Sequence, residues 1–281
     1  MSTSTPDQFV GRHETAEIHP SAHVDADAHL GEGVVVGPRS YIGAGVRLAR
    51  GVRVMGSAHI EGPATIGEGT IVYPYAVIGM PGQDFKFKPG DATLGVQVGS
   101  GCVIREHVTI HAATKDAHPT TVGNKCYLMV ASHVGHDCVV GNGVILVNSA
   151  LLAGHVTVGD NATLSGNTAV HQFCRVGRLA FLSGGVPTTM DIPPFCLCDQ
   201  INTTSGLNLV GLRRAGVPKE SIDALRYAFR TVISKSLPRE EALAKLRELG
   251  GGDPYVAEMA EFIATSQRGI GRGADRNTRR S

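Results

Sequence analysis

The chain has 281 residues, enough for one large domain or two with a substantial core. Its 26 basic and 25 acidic residues nearly cancel, which argues against a polybasic surface for nucleic acid or anionic membrane. No N-terminal apolar run resembles a signal peptide and no segment approaches the ~20 apolar residues of a membrane span, so a cytoplasmic protein without membrane insertion is expected.

Residues 1–17 form an N-terminal segment outside any repeat. From Ile18 an aliphatic residue recurs at every sixth position: Val24, Leu30, Val36, Ile42 and onward to Ile78. The run resumes at Val98, Ile104 and Ile110, then continues unbroken from Val122 through Leu182. Four residues after each aliphatic stands a small residue, Ala, Val, Ser, Thr or Cys, outside two interruptions. Such a period marks a short strand and a corner with both registers pointing inward, and three strands close a triangular coil. About eight coils stacked at the ~4.8 Å strand spacing make a prism roughly 40 Å long. The fold expected over 18–194 is mainly β, a parallel β-helix of hexapeptide repeats. Gly supplies 36 residues and Trp none, which fits a core packed from small and branched side chains.

Two Pro/Gly-rich or polar stretches leave the period, 80–95 and 112–121, and Asp116 would point inward if the second were a hexad. Both read as loops ejected from the prism, where binding residues concentrate. Cys102, Cys126, Cys138 and Cys174 occupy the small inward slot and act as small hydrophobes, and Cys196 and Cys198 are separated by one residue. After Pro194 the spacing turns helical, with Ile222, Leu225, Phe229, Val232 and Ile233, then Leu243, Leu246 and Leu249. Asp253-Pro254 reads as an N-cap and first helical position opening a helix through Ile263. A C-terminal α-helical domain over 195–267 is therefore expected to cover one end of the prism, followed by a basic, disordered tail over 268–281.

The register places the hexads starting at Val134, Leu152 and Val170 on one face of three successive coils, and these hold His136, His155 and His171. Separations of 19 and 16 residues bring the three rings to one edge, with His133 just around the corner and His111 as a further candidate. The cluster admits two chemistries. Neutral imidazoles from neighbouring coils can ligate zinc, as in a β-helical hydratase. Alternatively His136-Asp137 supplies an imidazole beside a carboxylate that fixes its tautomer, which is what a general base needs. His19, His23, His29 and His59 scatter over the early coils and read as solvated surface.

The segments "HVGHDCVVGN", "LLAGHVTVGD", "TAVHQFCRVG", "DIPPF" and "GLNLVGLRRAG", with "TIH" at 109–111 and "GQDFKF" at 82–87, together resemble the UDP-N-acetylglucosamine O-acyltransferase family of lipid A biosynthesis. The resemblance runs from about Ile18 into the C-terminal helices and implies a left-handed β-helix. It implies transfer of an R-3-hydroxyacyl group from acyl carrier protein to the sugar 3-hydroxyl of UDP-N-acetylglucosamine. By position it makes His136 the general base, Asp137 its support and the Gly154 N–H an oxyanion donor. His133, His155, His171, Gln83 and Asp84 would hold the sugar nucleotide, with Lys86, His111, Asn208 and Arg214 as further contacts. The position of Gly184 would set acyl length. The resemblance also implies a homotrimer with sites between prisms, and no cofactor beyond the carrier thioester. Family members carry an acidic residue where this chain has Val210 and a second Arg where it has Ala215, both near the nucleotide end. Arg213 and Lys219 remain to meet an acidic carrier protein. The sibling N-acyltransferase carries a uridine-binding domain ahead of its prism, and hexads that begin at Ile18 are expected to leave no room for one.

Overall fold

A computed structural model describes residues 11–88, 90–114 and 117–273. Asp116 and the last eight residues of the basic tail, 274–281, lie outside the described residues.

Twenty-six short strands, most of them two residues long, follow one another from Glu17 to Thr188. Each pairs in parallel with the strand three before and three after it, so the chain winds as a triangular coil with three sheet faces. The first face contains Tyr127–Leu128, Ile145–Leu146, Thr163–Leu164 and Phe181–Leu182. The second contains Thr109–Ile110, His133–Val134, Leu151–Leu152 and Ala169–Val170, and the third Thr120–Val122, Val139–Val140, Thr157–Val158 and Arg175–Val176. Register is an unbroken 18 residues from Val122 to Thr188, as in His133↔Leu151 and Leu151↔Ala169, and shortens to 16 at Phe181↔Leu197. The last residue of each strand from Glu17–Ile18 to Phe181–Leu182 is the predicted aliphatic, and from Leu30 onward it is buried in a single continuous core.

Two-residue strands satisfy their backbone only through the coils above and below, so the prism is as strong as its stacking. The corners carry the conformational cost. Asp137, His155 and Phe173 occupy the same corner of three successive coils with φ of 58°, 62° and 64°. Left-handed backbone disfavours residues with a Cβ and is retained where surrounding structure over-determines it.

The outward residues divide by face. Val35, Ile71, Val103, Tyr127, Ile145 and Phe181 make the first face largely apolar, whereas Arg47, Thr65, Gln97, Thr121, Thr157 and Arg175 make the third polar. The loop over 80–95 stands off the prism and presents a fully exposed Phe85.

The sheet continues past Pro194. Strand Cys196–Gln200 adds to the first face, turns at Asn202 and returns antiparallel as Thr203–Leu207. Helical spacing does not extend back to 195, because Cys196 and Cys198 keep the two-residue alternation of a strand, both buried. Helices then follow at α1 (Leu209–Arg214), α2 (Lys219–Ala228), α3 (Arg239–Gly250) and α4 (Pro254–Ala264), with a π-helical turn, Phe229–Ile233, continuing α2. Asp253 caps α4 by accepting from the N–H of Tyr255 and Val256 at 2.9 and 3.0 Å. Arg178 ties prism to helices through a bidentate contact with Glu258, at 3.0 and 2.7 Å.

The tail departs from expectation at its start. Rather than leaving the fold at Arg268, the chain returns to the prism, and Arg272–Gly273 pairs in parallel with Thr203 and Thr204.

Candidate active site

The corner that follows the second face gathers the histidines. Asp137 is 2 % exposed at its side chain, and its carboxylate lies 2.7 Å from the His136 Nδ1. Thr114 clamps the same carboxylate, donating its hydroxyl to Oδ2 at 2.7 Å and its N–H to Oδ1 at 3.1 Å. Thr120 Oγ1 accepts the Asp137 N–H at 2.8 Å, which pins the corner from below. Three donors on an anion in a nearly dry site leave it one geometry. An imidazole that donates Nδ1–H to this carboxylate keeps its lone pair on Nε2, and that nitrogen faces the cavity.

Gly154 lies directly against the ring. A Cβ there would stand 2.6 Å from His136 Nε2, so only glycine admits the imidazole in this position. The Gly154 N–H makes no hydrogen bond among the described residues. Gly82 closes over the other side, where a Cβ would meet Thr114 Cγ2 at 2.4 Å and His136 Cβ at 2.8 Å. The loop at 80–95 and Thr114, which lies within the loop at 112–121, therefore wall the His136 ring.

His155 stacks on Phe173 with centroids 4.6 Å apart, and its Nε2 is 3.7 Å from Asp137 Oδ2. His133 is held by the Thr109 hydroxyl at 2.7 Å, and burial, with the nearby His111 and His136, lowers its pKa to about 4. Burial also lowers that of His111, whose Nδ1 is enclosed without a partner among the described residues. Both shifts favour the uncharged ring at neutral pH, and His111 Nδ1 is a buried polar atom without a partner among the described residues. A cavity of about 510 Å³ spans this edge, with Gln83, His111, His133, His136, Gly154 and His171 among its walls. Asp84 accepts the N–H of Lys86 at 2.9 Å, and Lys86 is exposed on the same loop.

His136, Asp137 and His155 could in principle hold a metal ion, since their ligand atoms lie within 4.8 Å of one another. Two ligands each ~2.1 Å from a tetrahedral zinc would be ~3.4 Å apart. The observed 2.7 Å between His136 Nδ1 and Asp137 Oδ2 fits a hydrogen bond instead.

Three predicted residues stand elsewhere. Gly184 stacks over Gly166 at the corner between the first and second faces, not on the histidine edge, and a Cβ there would meet only the Gly166 carbonyl at 3.4 Å. Asn208 and Arg214 line a separate groove of about 860 Å³ on the first face, beside Ile145, Thr163 and Phe181. Asn208 caps α1 by accepting the Gly211 N–H at 2.9 Å and donates to the Leu179 carbonyl, so both its polar atoms are used within the chain. Arg214 is exposed and makes no hydrogen bond or ion pair among the described residues. Sequence periodicity did not indicate Thr114, which lies in an excursion, or Arg268, whose side chain contacts His171 at 2.6 Å.

A prism of hexads with a buried histidine–carboxylate pair and an open N–H at its edge defines the hexapeptide acyltransferase class. The family model "Bacterial transferase hexapeptide (six repeats)" matches residues 15–50. The model "Udp N-acetylglucosamine O-acyltransferase; Domain 2" matches residues 191–271. An acyl-[acyl-carrier-protein]--UDP-N-acetylglucosamine O-acyltransferase from Sulfurovum is 44% identical over 255 residues, covering 90% of this chain and 96% of the relative. The enzyme of that name from Paraburkholderia phymatum is 40% identical over 91% of this chain and 99% of its own length. The UDP-N-acetylglucosamine acyltransferase structure from Campylobacter jejuni superposes with a TM-score of 0.84 at 34% identity, covering 91% of this chain and 99% of that one. The chain belongs to the UDP-N-acetylglucosamine O-acyltransferase family, with its left-handed parallel β-helix and C-terminal helices.

Proposed function

We propose that His136 is the general base of an acyl transfer from acyl carrier protein to the 3-hydroxyl of UDP-N-acetylglucosamine. One observation carries the reading: Asp137 takes the Nδ1 side of His136 at 2.7 Å, which leaves Nε2 toward the cavity beside the Gly154 N–H. The sugar hydroxyl attacks the thioester carbonyl while His136 Nε2 takes its proton. The oxyanion that forms is met by the Gly154 N–H, a donor aimed where charge develops. Collapse breaks the C–S bond, His136 returns its proton to the carrier thiolate, and the ester remains on the sugar. No covalent enzyme intermediate is needed; proximity and one base suffice.

The acceptor is held by His111, His133, His155, His171 and Gln83, with Asp84 and Lys86 supporting from the loop. The enclosed, unpaired Nδ1 of His111 supports a ligand contact there. Arg214 suits the nucleotide phosphates, and Asn208 contributes by fixing α1 beneath it. Arg213 and Lys219 are exposed nearby and suit an acidic carrier. Gly184, on the corner between the first and second faces, would leave room for a long acyl chain that runs along the seam between copies rather than along the histidine edge of one chain.

The active unit is a homotrimer. The histidine cavity lies on the second face and Arg214 on the first, so one chain does not close the site by itself. An apolar first face and the exposed Phe85 support burial against a second copy. Purified protein should acylate UDP-N-acetylglucosamine from hydroxyacyl carrier proteins, and mixing inactive His136→Ala and Arg214→Ala protomers should restore activity. Transfer only to a 3-amino analogue would overturn the acceptor assignment, and full activity as a monomer would overturn the shared site.

A further inference from the structure

The C-terminal segment after α4 is fastened to the prism at one buried group. Asp191 is 1 % exposed and Ser266 3 % exposed, and the Ser266 hydroxyl donates to Asp191 Oδ2 at 2.7 Å. The other oxygen accepts the Arg175 N–H at 2.7 Å, so the carboxylate bridges the last coil and the returning chain. Backbone bonds complete the latch: Asp191 N–H to the Gly269 carbonyl at 2.9 Å and Arg272 N–H to the Asn202 carbonyl at 3.0 Å. A charged group buried this deeply is retained only with its partners, which gives the segment from Ser266 to Gly273 a single path.

That path carries Arg268 to the histidine edge, where its Nη2 lies 2.6 Å from His171 Nδ1. The Gln172 carbonyl is 3.2 Å from the same nitrogen. The two neighbours demand opposite tautomers. A carbonyl only accepts, and would hold the ring with its hydrogen on Nδ1. A guanidinium only donates, and requires Nδ1 as the acceptor, with the hydrogen on Nε2. The shorter, charge-assisted contact decides between them.

We propose that Arg268 is a positioning residue for acyl transfer: held by the Asp191–Ser266 latch, it fixes His171 as an Nε2–H donor toward a substrate oxygen in the cavity. This rests on the reading that the cavity binds the sugar nucleotide. Without Arg268 the ring passes to the Gln172 carbonyl, and Nε2 becomes an acceptor facing the same substrate oxygen. The latch converts the end of the helical domain into a determinant of one ring's hydrogen-bonding sense.

Two measurements on the full chain test this. Ring ¹⁵N spectra of histidine-labelled protein, with His171 assigned by its Gln variant, should show Nε2–H in the wild type and Nδ1–H in Arg268→Ala. In steady-state transfer, Arg268→Ala should raise KM for the sugar nucleotide about threefold to tenfold, more than it lowers kcat, as expected for one lost hydrogen bond. Arg268→Lys, which keeps a donor, should recover most of the loss, and Ser266→Ala should show a smaller rise. In a His171→Ala background Arg268→Ala should add nothing, because the effect passes through that ring. Nδ1–H in the wild type, an unchanged tautomer in Arg268→Ala, or an additive loss in the double variant would each overturn the proposal. Wild-type protein that fails to transfer an acyl group would sink the functional reading, while the ring spectra would still decide the tautomer.

Discussion

Two histidine–carboxylate pairs on this prism differ in how they are built and in how they are surrounded. His59 Nε2 meets Glu61 Oε2 at 3.1 Å in the early coils, with both side chains 37 % exposed. His136 Nδ1 meets Asp137 Oδ2 at 2.7 Å, with the side chains 14 % and 2 % exposed. His59 stacks face to face with Tyr41, which stacks on His23, making a surface ladder of rings whose polar edges meet water. The carboxylate of Glu61 is on a flexible stem, whereas Asp137 is clamped by Thr114 at a left-handed corner. A solvated pair is worth little and holds no single geometry, while a dry, anchored pair fixes which nitrogen is free. The scaffold can place histidine and carboxylate together anywhere along its edge. Burial and a third group that holds the carboxylate separate a site from decoration.

The largest effect that sharpens this contrast is Asp137→Asn against Glu61→Gln. Asparagine tolerates the corner, but its amide can turn a donor toward Nδ1 and move the ring hydrogen to Nε2, which removes the base. The rate should fall on the order of 10² to 10⁴, with an unchanged fold by circular dichroism, whereas Glu61→Gln should stay within about twofold. Thr114→Val comes next. It deletes a hydroxyl donated to a buried carboxylate while keeping shape, and should lower kcat about tenfold to a hundredfold with little change in KM. A kcat equal to wild type would remove Thr114 as the anchor.

Gly184→Met has a milder effect, read on acyl chains of different length. Each methylene against a dry wall contributes up to ~0.8 kcal/mol, so the wild type should favour chains of roughly twelve to fourteen carbons by up to about tenfold over neighbouring even lengths. The Met variant should favour shorter chains, and an unaltered profile would exclude Gly184 from the acyl groove. The smallest effect is on stability. His133 has a folded pKa near 4, below the ~6.5 of an unfolded chain, so the unfolded state binds more protons between those values. Stability is full above about pH 6.5 and declines toward pH 4, by on the order of 3 kcal/mol. Denaturant titrations of His133→Asn should show a flatter decline than the wild type.

Periodicity carried a large part of this molecule in plain view. The inward aliphatics and small residues are local facts of composition repeated every six residues, and they predict the coil, the register and the meeting of His136, His155 and His171. The same arithmetic separates Gly184 from that edge, since it lies 18 residues after Gly166 but only 13 after His171. What the period could not reveal are partners supplied by segments outside it. Thr114 reaches Asp137 from an excursion whose path no repeat constrains. Arg268 reaches His171 across 97 residues by way of a latch whose two members, Asp191 and Ser266, carry no pattern. The hairpin after Pro194 was obscured because the helical signal downstream is stronger than one short alternation.

If the anchored pair is the base and the solvated pair is not, the two histidines must respond unequally to removal. The most direct measurement is kcat for His136→Ala and His59→Ala under saturating carrier thioester and sugar nucleotide. His136→Ala should lose on the order of 10² to 10⁴, with His59→Ala within about twofold of wild type. A His136→Ala protein that keeps more than about half of the wild-type kcat would contradict that assignment of the base.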